Sequence, residues 1–232
     1  FWSPAEQGRA MAEGRLDPVE MAEAYLEAAA AVPDVYARLT PERARGEAMA
    51  ARARLRLGLG RGPLDGVALS WKDLFDSAGT ETEAGSRLLE GRVPEADAEV
   101  LAQATLAGTV CLGKTHMTEL AFSGLGINPM TATPPNAVTP HLAPGGSSSG
   151  AAVSVKLGLA AAAVGSDTGG SVRIPAAWND IVGLKTTHGR VSTRGVVPLC
   201  RRFDTVGPLA RSVEDCALVL AALEGRRAPD LR

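Results

Sequence analysis

The fold class this sequence predicts is α/β, helices layered on a sheet, and three observations lead to it. Stretches with helical spacing alternate with short apolar runs of strand length from Asp97 onward. Gly- and Pro-rich turn signals bound those runs. An apolar fraction of 45% against 22% charged residues over 232 residues is enough for a sizeable core.

Three helices are expected first, because Ser3-Pro4, Asp17-Pro18 and Thr40-Pro41 each set a capping side chain before a Pro at the first helical position. Asp17 with Glu20 also resembles a capping box. After an Arg-, Leu- and Gly-rich connection from Arg54 to Gly66, Val67 to Trp71 reads as a short buried strand. Ala98 to Ala104 has helical spacing and Thr109 to Gly113 reads as a strand. The Pro- and Gly-rich stretch from Asn128 to Gly146 is loop, followed by a small-residue helix from Ser149 to Leu157 and a strand from Ala161 to Ser166. A last helix starts at Ser212, with Glu214 and Asp215 in its first turn.

A formal net charge of −2 with both signs interspersed offers no basic face for nucleic acid or an anionic membrane. The longest apolar stretch, Ala151 to Val164, is interrupted by Ser154, Lys156 and Gly158 and is shorter than the ~20 residues a bilayer span needs. Cys111, Cys200 and Cys216 are odd in number and widely spaced, which argues against a disulfide framework and points to a reducing, cytoplasmic compartment. The chain opens on Phe1 without an initiator Met, and Phe1 to Ala10 has no signal-peptide pattern, so an excerpt of a longer sequence is expected.

Two motifs match patterns out of context. Gly108 to Thr115 satisfies the Walker A pattern, but a phosphate loop leaves a strand and opens a helix, whereas here Val110, Cys111 and Leu112 form the apolar heart of a strand. Gly146-Ser147-Ser148-Ser149-Gly150 fits the nucleophile elbow, which would make Ser148 the nucleophile, but Pro-rich loop precedes it and His188 is the sole downstream His. His116, His141 and His188 show no metal-ligand spacing.

Two Gly-Ser motifs remain: Gly145 to Gly150, and Gly165-Ser166-Asp167-Thr168-Gly169-Gly170-Ser171-Val172-Arg173. Singly they read as a linker and a tight turn. Together they flank a buried helix and strand, where a flexible linker has no place. Successive glycines let backbone N–H groups converge on one point, as a developing oxyanion requires, and a Ser closing the run sets a hydroxyl beside it. A serine needs a base. With no convincing His, Lys72 is the candidate, at the end of a buried strand where desolvation favours its neutral form.

From about Gly62 to Leu223 the sequence resembles the amidase signature family. The match runs through Pro63-Leu64-Asp65-Gly66-Val67, Trp71-Lys72-Asp73, Leu112-Gly113-Lys114-Thr115, both Gly-Ser motifs, Gly183-Leu184-Lys185, Asp204 to Leu209 and Ser212-Val213-Glu214-Asp215. The resemblance implies that Ser171 is the nucleophile, Ser147 a bridging serine on a cis peptide after Gly146, and Lys72 the base. It also implies an oxyanion hole of the N–H groups of Thr168, Gly169, Gly170 and Ser171. Asp167 and Arg173 match positions that hold the nucleophile loop, and Ser148 a hydrogen-bonding neighbour of the triad. Ser147 and Ser171 stand 24 residues apart, in the family's order after Lys72. His141 stands where an Arg is frequent, and Asp180 where a Gly is.

The implied fold is an α/β/α sandwich with a mixed central sheet, here its N-terminal, catalytic half. On that reading residues 1–60 are a helical segment, 61–225 the catalytic core and 226–232 a truncated end. The implied activity is hydrolysis of a small-molecule carboxamide through an acyl-enzyme, without metal or organic cofactor, with a homo-oligomer left open. Two alternatives are the ammonia-producing subunit of a tRNA-dependent amidotransferase and a catalytically silent fragment.

Overall fold

The computed structural model describes residues 2–226; the expected truncated end, 226–232, lies outside them except for Arg226. The opening helices are α1 (Pro4–Ala12), α2 (Pro18–Ala31) and, after strand β1 (Tyr36–Leu39), α3 (Pro41–Arg56). Ser3 forms a full capping box with Glu6, and Asp17 accepts from Val19 N at 2.8 Å. Thr40 departs from expectation: its hydroxyl makes no helix cap and donates instead to the Cys111 carbonyl at 3.1 Å, tying α3 to the sheet.

Next come β2 (Ala68–Lys72), α4 (Glu99–Leu106), β3 (Val110–Thr115), α5 (Ser149–Lys156) and β4 (Ala162–Asp167). The chain continues through α6 (Arg173–Trp178), β5 (Val182–Gly183), β6 (Thr205–Ala210) and α7 (Val213–Leu223). The six strands lie in the order β1-β3-β2-β4-β6-β5. β2 runs parallel to both β3 and β4, while β1, β6 and β5 pair antiparallel with their neighbours, so the sheet is mixed.

Alternation along the strands sorts side chains into two layers. Ala162 and Val164 of β4, with Val206 and Ala210 of β6, join the core that holds Val100, Leu101, Val219 and Leu223 of α4 and α7. Ala163 and Leu209 face the other way, into a cluster with Ala151, Ala152 and Val155 of α5 and Ala176 of α6. Helices thus cover both faces, and the fold is the expected sandwich. Asp215, fully buried, accepts the Ala5 N–H at 3.1 Å and binds the first helix to the last. No helix among the described residues is long and apolar enough to cross a membrane.

Two local details shape the sheet. Along β2 and β3, Leu69 faces Cys111 but Ser70 faces Gly113, so Leu112 is an extra residue and the ladder slips by one. Beyond the slip Lys72 faces Thr115 and Trp71 faces Lys114. In β6 a Cβ on Gly207 would overlap the Leu184 carbonyl, so close approach of the neighbouring segment requires glycine there.

Leu69 is fully buried between the layers, whereas Leu57 is 73% exposed. Leu69→Ala is therefore expected to cost about 2–5 kcal/mol in urea unfolding, and Leu57→Ala to stay within about 0.5 kcal/mol of the parent.

Candidate active site

The parallel strands β2 and β4 lie side by side and end at one edge of the sheet, where open α/β sheets place their binding crevices. β2 delivers Lys72 to that edge, with no exposed surface. Its Nζ donates to Ser147 Oγ at 2.7 Å and to Ser166 Oγ at 2.8 Å. Burial pushes the lysine down to about 7, against the charges of Asp167 and Asp204, which favour the ammonium. Above that value the neutral amine predominates and has a lone pair to offer a hydroxyl proton.

Ser147 follows a cis peptide from Gly146, as the resemblance implied, and is fully buried. Backbone contacts on both sides fix its position. The Gly124 and Leu125 carbonyls accept from the Gly146 and Gly145 N–H groups at 2.8 and 3.0 Å, and the Ser147 carbonyl accepts from Thr118 N at 3.2 Å. Thr118 Oγ1 in turn donates to the Ser123 carbonyl at 3.3 Å, which joins the two anchoring segments to each other.

Ser148, the residue before α5, is fully buried and donates through Oγ to the Ser166 carbonyl at 3.3 Å. Its backbone N–H donates to the Ser171 carbonyl at 3.2 Å, which draws the two Gly-Ser motifs together. Loop rather than strand leads into Ser148, so the elbow geometry is absent at that serine.

The second Gly-Ser loop leaves β4 through Asp167. Its buried carboxylate accepts from Gly170 N at 2.8 Å and Val172 N at 3.1 Å, and from Arg173 through Nε and a terminal nitrogen, both at 3.0 Å. Burial pushes Asp167 up, but the Arg173 hydrogen bond, the Val172 N–H, the Arg173 charge and the Gly170 N–H outweigh it and hold the carboxyl below its ordinary value. Gly170, at φ +132°, lets the chain turn between Thr168 and Ser171. Ser171 is 7% exposed, Gly169 is open to solvent, and Thr168 lies between.

Sequence reasoning assigns no role to Ser166 or Asp204. Ser166 supplies the second hydroxyl on Lys72. Asp204 accepts from Thr168 Oγ1 at 2.6 Å and from the Leu199 and Cys200 N–H groups at 3.1 and 3.0 Å. The signal at Ser166 is a polar residue directly after the apolar part of its strand. The Walker-like Lys114 is buried in β3, 2.9 Å from Thr82 Oγ1 and 3.3 Å from Asp73. His141 and His188 are exposed, and His116 is partly buried. Asp180 adopts φ +52°, consistent with the frequent Gly there, and pairs with Lys156 at 2.7 Å.

The chain belongs to the amidase family, whose pattern it matches over residues 20–232. It is 42% identical over 229 residues to a glutamyl-tRNA(Gln) amidotransferase subunit from Anaeromyxobacter dehalogenans (strain 2CP-C), covering 97% of this chain and 46% of that one. Among solved structures it resembles an amidase at 43% identity and TM-score 0.91, over 98% of this chain and 53% of that one. It also resembles the peptide amidase from Stenotrophomonas maltophilia at 38% identity and TM-score 0.89, over 99% and 48%. The chain spans about half the length of the curated relatives it matches.

Arg173→Leu should destabilise the protein at pH 7 by leaving Asp167 buried without its cation. Because a depressed carboxyl stabilises above its unfolded value of about 3.9 and loses that contribution as pH falls through its folded value, the gap should narrow in acid. Urea unfolding of parent and variant from about pH 7 down to about 3 measures it.

Proposed function

We propose that this chain carries the reaction centre of an amidase that hydrolyses a carboxamide through an acyl-enzyme on Ser171. The observation that carries the reading is Lys72, fully buried, lowered to about 7 by burial and 2.7 Å from Ser147 Oγ.

In the proposed reaction Ser171 Oγ attacks the amide carbonyl while its proton passes to Ser147 Oγ and the Ser147 proton passes to Lys72 Nζ. The N–H groups of Thr168, Gly169 and Ser171 receive the charge on the carbonyl oxygen, whereas the Gly170 N–H, expected among them from the family resemblance, is instead held by Asp167 at 2.8 Å and shapes the loop. Collapse breaks the C–N bond as the proton returns along the relay to the departing nitrogen. Water, deprotonated by the same relay, then cleaves the acyl ester to a carboxylic acid and regenerates Ser171. Ser148 supports Ser166 and the loop rather than the chemistry, and no cofactor enters these steps.

A second reading, an amidotransferase subunit whose glutaminase-like site supplies ammonia to partner subunits, is favoured by the curated relatives at 42% identity. Glutamine-dependent transfer to a co-purifying subunit would support it over free hydrolysis of simple amides.

With the intact protein, Ser171→Ala should abolish both turnover and the mass adduct with a fluorophosphonate. Lys72→Ala should reduce kcat/KM by roughly 100- to 10,000-fold, and Ser147→Ala should slow acylation. Replacing His188 should change little. Labelling that persists in Ser171→Ala but vanishes in Ser148→Ala would overturn the assignment.

The pH dependence has a defined sign. Lys72 must be neutral to accept a proton, so kcat/KM should rise with pH through a midpoint of about 7, far below the ordinary lysine value of about 10.4. A flat profile across about one pH unit on either side of that midpoint would count against Lys72 as the base.

A further inference from the structure

We infer that Asp204 is a positioning residue for this reaction, clamping the loop 199–203 to Thr168 and so fixing the backbone N–H groups that face the substrate carbonyl. The inference rests on the reading of Ser171 as nucleophile and goes beyond it, because Asp204 lies 33 residues after Ser171 in the chain and touches none of the three proposed reacting groups.

The geometry is a three-way clamp. Asp204 is 7% exposed, and its Oδ1 accepts from Thr168 Oγ1 at 2.6 Å and from Cys200 N at 3.0 Å, while Oδ2 accepts from Leu199 N at 3.1 Å and Cys200 N at 3.0 Å. A carboxylate offers two acceptor oxygens and no donor, which suits three donors converging from two segments. Asparagine offers one acceptor oxygen and would turn its NH2 toward a donor. Thr168 opens the run of N–H groups, and Gly169, open to solvent and without a side chain, follows it directly. On the far side Asp167 holds Gly170 and Val172. The loop is thus pinned at both ends by carboxylates, Asp167 beneath and Asp204 at its start, and Thr205 Oγ1 donates to the Asp167 carbonyl at 2.8 Å between them.

Asp204 also bears on Lys72 through its charge. The groups around that lysine are the Ser147 and Ser166 hydroxyls, Asp167 with its partner Arg173, and Asp204; on the adjoining strand Lys114 is paired with Asp73. Removing the Asp204 charge therefore leaves the neutral lysine more favoured, whereas removing only the Thr168 hydroxyl leaves that charge in place.

The experiment follows kcat, KM and the rate of fluorophosphonate labelling of Ser171 against pH in the intact protein, for the parent, Asp204→Asn, Thr168→Val and Thr168→Ser. Asp204→Asn should lower the plateau rate by roughly tenfold or more and move the midpoint to lower pH. Thr168→Val should lower the plateau with an unmoved midpoint, and Thr168→Ser, which restores the hydroxyl, should recover the parent rate. The double variant Asp204→Asn with Thr168→Val should be no slower than Asp204→Asn alone, since the two act as one unit. Parent-like plateau rates in Thr168→Val, or losses that add in the double variant, would overturn the inference, and Thr168→Val tests it even if Asp204→Asn does not fold. If the parent itself shows no Ser171 adduct, the reading of the site fails; if the parent is labelled and these variants match it, only the role of Asp204 fails.

Discussion

The structure turns on an amine-bearing side chain enclosed away from solvent. Lys72 has no exposed surface, and among the described residues its Nζ hydrogen-bonds to two hydroxyls, those of Ser147 and Ser166. Burying a charge without a directly paired counter-charge is costly, and a lysine meets that cost by holding its proton less tightly, here down to about 7. Everything around it serves the enclosure. Two parallel strands bring Lys72 and Ser166 to one edge, the start of α5 brings Ser147 over it, and the pair Asp167–Arg173 closes the loop that carries Ser171.

Much of this is legible in sequence because the proposed chemistry lies in local motifs. The three Pro-capped helices, the strand ending at Lys72 and the small-residue helix between the Gly-Ser motifs are all readable from residue type and spacing. Strand β6 is not, since Gly207 and Pro208 read as breakers; the structure uses the glycine for close approach to Leu184, and the Pro208 carbonyl still accepts from Leu184 N. β1 is four residues long at the sheet's margin, and α6 starts two residues after Ser171 within what reads as a turn motif. Thr40 has the composition of a cap, but a hydrogen bond to β3 claims its hydroxyl.

The site shows the same division. Lys72, Ser147 and Ser171 belong to contiguous patterns, whereas Asp204 reaches Thr168 across 36 residues of chain and is visible only once the chain is folded. Ser166 sits inside the second Gly-Ser motif, yet nothing in sequence distinguishes a hydroxyl aimed at Lys72 from one aimed at the backbone.

The slipped ladder between β2 and β3 has a further consequence for the two buried lysines. Were the pairing to continue evenly from Ala68 opposite Val110 and Leu69 opposite Cys111, Lys114 would stand directly across from Lys72. Two buried amines would then share one face, and a proton on both would set like charges directly opposite in the sheet, which is destabilising. The extra residue, Leu112, sets Thr115 there instead and turns Lys114 to the opposite face, toward Asp73. One inserted residue thereby gives the two amines separate surroundings, Lys114 beside the Asp73 carboxylate and Lys72 among hydroxyls.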